Sequence, residues 1–233
     1  MKTPNHAIRL LILAFLVTAL GACATPTAAP EDTEASEPAV AEIWQPDPAA
    51  EARYIELVET AQRDPGAVDF AELRELYIRT HFYQPYAGAE QQFSAGMFRA
   101  LENRRDGEAL NLAARILEEN YVSLDAHYVA RQVYANRGDQ RRRDRHDQTL
   151  RALFQVIRAS GDGESRATAY RVISSQELNT FISLYGLDMI ENELAVDELG
   201  PFDRVVAHDP RRDREFEIWF DITPQWTRGF DGF

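Results

Sequence analysis

Only one cysteine, Cys23, occurs in 233 residues, and it stands directly behind an apolar run. With no second thiol the chain forms no internal disulfide, so its stability must come from a hydrophobic core. Basic residues are also in deficit: 25 Lys and Arg face 38 Asp and Glu, a net charge of −13. Nucleic-acid binding rests on a basic face that neutralises phosphates, so nucleic acid is not expected as a partner. Anionic lipid is excluded as an electrostatic partner for the same reason. Long apolar runs are missing too. Leu10–Leu20 is eleven residues long and is soon followed by Thr25, Pro26, Thr27 and Pro30, whereas a spanning helix needs about 20 predominantly apolar residues.

The same short run has a positive reading. Lys2 and Arg9 precede it and the small residues Gly21 and Ala22 follow, which is the order of an export signal. Leu20-Gly21-Ala22-Cys23 resembles the lipobox of bacterial lipoproteins. That resemblance implies acylation of the Cys23 thiol and removal of residues 1–22, leaving Cys23 as the mature N-terminus. One acyl chain anchors marginally and two hold stably, at about 0.8 kcal/mol per buried CH₂. The membrane is therefore an expected partner through the lipid on Cys23. Ala24 in place of Asp resembles the outer-membrane default, so the expected location is the cell envelope, facing the periplasm in a source with two membranes. Cleavage after Ala22 without acylation would leave an unpaired thiol in an oxidising compartment.

Residues 23–48 carry Pro26, Pro30, Pro38, Pro46 and Pro48 among Ala, Thr and the acids Glu31, Asp32, Glu34, Glu37 and Glu42. Nothing there can bury a face, so the segment reads as a disordered tether, about 80 Å long if fully extended and about 25 to 30 Å on average. The competing expectation is that Ile43 or Trp44 docks on the folded part.

Helical periodicity fills residues 49–160. Tyr54, Leu57, Val58 and Ala61 make one stripe, stopped by Asp64-Pro65-Gly66. Asp69 with Glu72 opens a second helix on Phe70, Leu73, Leu76 and Tyr77. The loop "HFYQPYAG" should fold its rings under these helices. Gly107-Glu108 and Gly138-Asp139 then flank two further stripes, Ala109/Leu112/Ala113/Ile116/Leu117 and Tyr128/Ala130/Val133/Tyr134. Residues 126–139 resemble the first helix of a tetratricopeptide repeat, with His127, Ala130, Tyr134 and Gly138 at its large, small, aromatic and turn positions. Arg143 and Asp147 depart from the pattern, so repeat-like hairpins are expected rather than a solenoid of about three repeats or more. The resemblance implies a partner-binding hollow face at Asp125, Tyr128, Gln132 and Asn136. "RRRDRHD" reads as a solvated helix face, with Asp139–Arg143 and Asp147–Arg151 at salt-bridge spacing.

In residues 161–233 the period shortens. "ATAYRVIS" has strand composition, Ser174 with Glu177 caps a helix closed by Gly186, Leu187 to Val196 is ambiguous, and "FDRVVAH", "DPRRDR", "EFEIWFDI" form a hairpin with Phe216, Ile218, Phe220 and Ile222 facing inward. The fold class is therefore α+β, repeat-like helical hairpins followed by a small antiparallel sheet with a covering helix. "GDGESRATAYRVIS", "LYGL", "FDRVVAHDP" and "EIWFDI", in this order, resemble an uncharacterised bacterial family of secreted and lipid-anchored proteins, domain of unknown function 4919. The resemblance implies an architecture and a location, and no chemistry.

Chemistry-bearing motifs are sparse. Beyond the signal lie four histidines, His81, His127, His146 and His208, with no HExxH pair, EF-hand loop, GxSxG elbow or phosphate-cradling glycine loop. His127, His146-Asp147 and Asp162 have the composition of a histidine–aspartate phosphohydrolase centre, but His127 holds a repeat packing position and His146 a charge-alternating face. No metal, cofactor or catalytic residue is expected from this. The leading functional expectation is a lipid-anchored scaffold that holds an envelope protein or peptide. The alternative is a ligand-binding or hydrolytic domain whose site lies between helices and sheet, near Tyr170, His208 or Trp219.

Overall fold

The computed structural model describes residues 44–229; the expected signal, the expected lipidation site Cys23 and most of the expected tether lie outside them. The fold begins earlier than composition suggests. Asp47 accepts from the amides of Ala49 (2.9 Å) and Ala50 (3.1 Å) and caps α1 (Pro48–Arg63), with Pro48 in the first turn where its missing N–H costs nothing. Pro46 and Pro48 thus belong to a helix start. Trp44 docks: its ring lies 4.2 Å from the Arg228 guanidinium, whose Nε donates to the Tyr83 carbonyl at 3.1 Å.

Asp69 caps α2 (Phe70–Tyr77) through the amides of Ala71 and Glu72. The aromatic loop then turns inward, as its composition suggests. Tyr83 is buried beside Tyr77 and donates its hydroxyl to the Ile173 carbonyl at 2.7 Å. Sequence periodicity passed over α3 (Ala89–Glu102), whose stripe is diluted by Gly96 and by polar Gln91, Gln92 and Ser94. It packs on α4 (Asp106–Glu119), α4 on α5 (Leu124–Asn136), and α5 on α6 (Gln140–Ala159). The two glycine corners are not equivalent. Gly138 has φ +71 and makes the turn before α6, whereas Gly107 lies inside α4 and the left-handed residue ahead of it is Arg104, φ +57. Asp139 caps α6 through the Arg142 amide and pairs with that residue's guanidinium, so the expected Asp139–Arg143 pair is replaced, while Asp147–Arg151 forms at 2.7 Å.

The strand-bearing part comprises β1 (Tyr170–Arg171), α7 (Ser175–Tyr185), β2 (Asp188–Asp197), β3 (Gly200–Asp209), β4 (Arg214–Asp221) and α8 (Thr223–Arg228). The sheet order is β1-β4-β3-β2, antiparallel except that β1 joins β4 in parallel, so the sheet is mixed. The ambiguous stretch after Gly186 is strand β2. Its pattern was unreadable because the strand is exposed along nearly its whole length, so no buried face imposes alternation.

One core crosses the compositional boundary at residue 160. Leu57, Leu73, Leu153 and Ile157 from the helices share it with Val172, Phe181, Val205 and Phe220, while α3, α4 and α5 enclose a smaller cluster around Met97, Ile116 and Val129. A bidentate ion pair pins the two parts together. Arg74 Nε and Nη2 donate to Glu177 at 2.9 and 2.7 Å, with only 2% and 4% of the two side chains exposed. Nη2 also donates to the Arg171 carbonyl. Ser174 caps α7 as expected, but the Glu177 carboxylate takes the Ile173 amide and Arg74 instead of closing a capping box.

Candidate functional site

A cleft of about 560 Å³ opens between the end of α7 and the β3–β4 turn. Its floor is aromatic: Tyr170 from β1, Phe181 and Tyr185 from α7, and Phe216 with Ile218 from β4. Asp162-Gly163-Glu164 forms one wall, and the turn bearing Asp209, Arg211, Arg212 and Arg214 forms the other.

Two glycines shape it. Gly163 has φ +74, and a Cβ there would stand 2.7 Å from the Tyr170 ring and 2.8 Å from Ile218, so only glycine lets this wall seat on the floor. Gly186 ends α7 in the left-handed conformation, φ +77, and the Arg211 guanidinium occupies the space its side chain would take. That places a cation over the carbonyl end of a helix, where the macrodipole favours it. Asp209 orders the turn by accepting from the Arg211 amide (2.9 Å) and the Arg212 guanidinium (2.7 Å). The Arg212 contact foremost, then the backbone donors, hold its carboxyl below the usual range.

Pairing of charges decides what the cleft offers. Asp209 is held by Arg212, and Glu217 by Arg204. Asp162 accepts from the Glu164 amide at 2.9 Å. Arg211 and Arg214 form no ion pair among the described residues, and neither does Glu164. The Arg214 guanidinium lies 5.5 Å from the Phe216 ring centre, and Arg158 approaches Tyr185 at 5.8 Å. The Tyr170 and Tyr185 hydroxyls are 3.5 Å apart; burial, and then the neighbouring phenol, raise the Tyr170 pKa, so it stays a neutral donor at physiological pH. The arrangement suits an anionic group on Arg211 and Arg214 with a flat or apolar body on the phenol floor.

Of the residues expected near a helix–sheet site, Tyr170 lines this cleft. His208 turns to Asp213 (3.2 Å), and Trp219 stacks with Arg166 (4.6 Å). The two unpaired arginines were hidden in "DPRRDR", which reads as turn chemistry alone; five charges in six residues were the available signal.

The four positions expected on a hollow face are divided. Asp125 is buried and accepts from the Ser94 hydroxyl (3.1 Å) and from the Thr180 hydroxyl of α7, so it faces inward and is closed to a partner. Tyr128 lines a groove of about 320 Å³ with Phe98, Leu101 and Leu184. Gln132 is half-buried and Asn136 exposed. The helix α7 occupies part of the hollow that a repeat array would leave open.

Asp125 also neighbours Glu90, whose carboxylate accepts from the Ser123 hydroxyl and from Asn120 Nδ2 (3.2 Å). Burial, reinforced by the Asp125 charge, pushes the Glu90 carboxyl up to about 8. Space beside it, about 20 Å³, admits a single water and no substrate.

His127 and His146 meet, Nδ1 to Nδ1, at 2.9 Å. His127 Nε2 lies 2.8 Å from the Tyr121 carbonyl and must donate to it, so its Nδ1 accepts and His146 Nδ1 donates. Burial foremost lowers the pair to about 3 and about 4, so both rings are neutral at pH 7. Asp147 is engaged by Arg131 and Arg151, and Asp162 stands in the cleft wall. Among the described residues no group of three or more His, Cys, Asp or Glu side chains converges on a metal position.

The fold and cleft define an α+β domain in which helical pairs and a four-stranded sheet share one core. Residues 45–226 match the family described as Domain of unknown function (DUF4919), and the chain belongs to that family. No curated protein and no solved structure matches it significantly.

Proposed function

We propose that this chain is a lipid-anchored envelope protein, acylated at Cys23 and facing the periplasm, whose folded domain is a binding module. Its site is the cleft between α7 and the β3–β4 turn, and its ligand carries an anionic group beside a flat or apolar body. The observation that supports this reading is the pair of arginines, Arg211 and Arg214, free of ion pairs at the rim of a phenol-floored cleft. The lipobox-like Leu20–Cys23 segment supports the anchor. Among the described residues no helix is long and apolar enough to cross a membrane.

The test uses phenyl phosphate and 4-hydroxyphenylacetate as anionic probes and 4-hydroxyphenylacetamide as a neutral one, followed by ligand-observed NMR. Both anions should bind and the amide should not, and Arg211→Ala/Arg214→Ala should abolish binding while leaving the domain folded, with stability lowered by no more than about 1 kcal/mol. Equal binding of the amide, or binding unaffected by the double substitution, would overturn the assignment. Incorporation of labelled palmitate, lost in Cys23→Ser, tests the anchor separately.

A further inference from the structure

The strand β2 is the last in the order β1-β4-β3-β2, so one of its hydrogen-bonding edges faces β3 and the other has no strand beside it among the described residues. Exposed edges of this length are ordinarily shortened, covered or blocked with lysine or proline. This one runs for ten residues, contains neither, and is interrupted only by a bulge at Ile190. Large apolar side chains are exposed along it: Ile190 54%, Leu194 52%, Val196 55%, and Leu199 just beyond at 71%.

Beyond the bulge the register with β3 is continuous from Glu191 to Asp197, and the two faces of that segment differ in chemistry. Asn192, Leu194 and Val196 share the face on which Val205 enters the core; Glu191, Glu193 and Asp197 share the opposite one. Asp188, Glu191 and Glu198 form no ion pair among the described residues, while Glu193 and Asp197 engage Arg204 and Arg166. No basic residue lies on β2.

This pattern discriminates among occupants. A second copy pairing through β2 would set acids near acids, which disfavours it. The chain's own residues 24–48 carry six acids and no base, and are repelled likewise. An anionic lipid surface meets the same charge. We infer that β2 is a docking edge for an extended basic segment of another protein, about seven residues long, in which Lys or Arg alternates with apolar residues. Paired as a fifth strand, such a segment sets its apolar side chains beside Leu194 and Val196 and its cations beside Glu191 and Glu193. This surface is separate from the cleft and does not depend on it.

The experiment uses the mature chain with the labelled peptide KVRIKVK, the scrambled KKKRVIV of equal charge, and the acidic EVEIEVE, with affinity read by fluorescence anisotropy and strand protection by amide exchange. KVRIKVK should bind and slow exchange at alternate amides between residues 191 and 197. KKKRVIV and EVEIEVE should bind weakly or not at all. Glu191→Lys/Glu193→Lys should weaken KVRIKVK about tenfold or more, Leu194→Asn should weaken it independently of charge, and Arg211→Ala/Arg214→Ala should leave it unchanged. Circular dichroism confirms that each variant is folded. Equal affinity for the scrambled peptide, exchange that does not change in residues 191–197, protection produced instead by phosphatidylglycerol vesicles, or a concentration-dependent dimer disrupted by Leu194→Asn would each overturn the proposal.

Discussion

Replacing Glu90 by Gln should stabilise this protein at alkaline pH and leave it nearly unchanged at pH 5. The Glu90 carboxyl sits beside Asp125, and burial is the main cause that raises it from 4.5 to about 8. Between those values the folded state keeps a proton that the unfolded chain has released. Its stabilising contribution is therefore fully present below about pH 4.5 and is lost as pH rises through about 8. At about 1.4 kcal/mol per tenfold change in proton affinity, that interval corresponds to about 4–5 kcal/mol. The residue as a whole is only half-buried, which reduces the expected effect to about 2–3 kcal/mol. Glutamine keeps the shape and offers both a donor and an acceptor to Ser123 and Asn120, but has no proton to release. Urea unfolding followed by tryptophan fluorescence at pH 5, 7 and 9 should show the variant gaining about 2–3 kcal/mol over wild type at pH 9 and within about 1 kcal/mol of it at pH 5. The acid-side contribution of His127 and His146 is common to both proteins and cancels in the difference. If the two stability curves run parallel from pH 5 to 9, Glu90 does not hold a proton in the fold and the reasoning is wrong.

Three further outcomes are expected. Arg74→Met strands the Glu177 carboxylate in the core and should cost about 3–5 kcal/mol, whereas Arg74→Met/Glu177→Leu should recover much of that loss; equal loss in both would refute a pairing role. His127 and His146 are neutral in the fold but titrate near 6.5 when unfolded, so stability is present above pH 6.5 and falls as pH drops toward about 4 and about 3. His146→Gln should flatten that acid limb in the same urea series. Gly163→Ala forces an alanine into a left-handed conformation against Tyr170 and Ile218 and should cost about 2 kcal/mol or more, read as a lowered midpoint together with loss of phenyl phosphate binding.

Much of the helical architecture was legible because each helix buries one stripe. Asp69, Ser174 and Gly186 marked ends where backbone groups need partners, and the alternation Phe216/Ile218/Phe220 reported a strand with one buried face. Legibility failed wherever burial did not impose a period. In α3 polar residues and a glycine dilute the stripe, and β2 has no buried face to alternate about. The reading of Asp125 failed differently. Repeat spacing assigns it to a hollow, but the occupant of that hollow, Thr180 on α7, comes from 55 residues further along the chain. Of the cleft only Tyr170 was anticipated; its arginine rim was missed for the same reason, since Arg211 and Arg214 matter because Tyr170 and Tyr185 lie beneath them, and local spacing does not encode that juxtaposition.

The contact between Trp44 and Arg228 gives the domain a mechanical polarity. The first described residue stacks on the last helix, which is itself tied to the Tyr83 carbonyl, and Asp47 is fastened to Arg79 a few residues away. A pull applied at residue 44 is thus borne first by a small clasp of one ring and two guanidinium groups gathered on the loop from Arg79 to Tyr83. Because α8 follows β4 almost directly, the clasp also couples the start of the described chain to the sheet. Unfastening Trp44 and Asp47 would free the residues ahead of α1 before either the arginine-rimmed cleft or the exposed strand lost its shape.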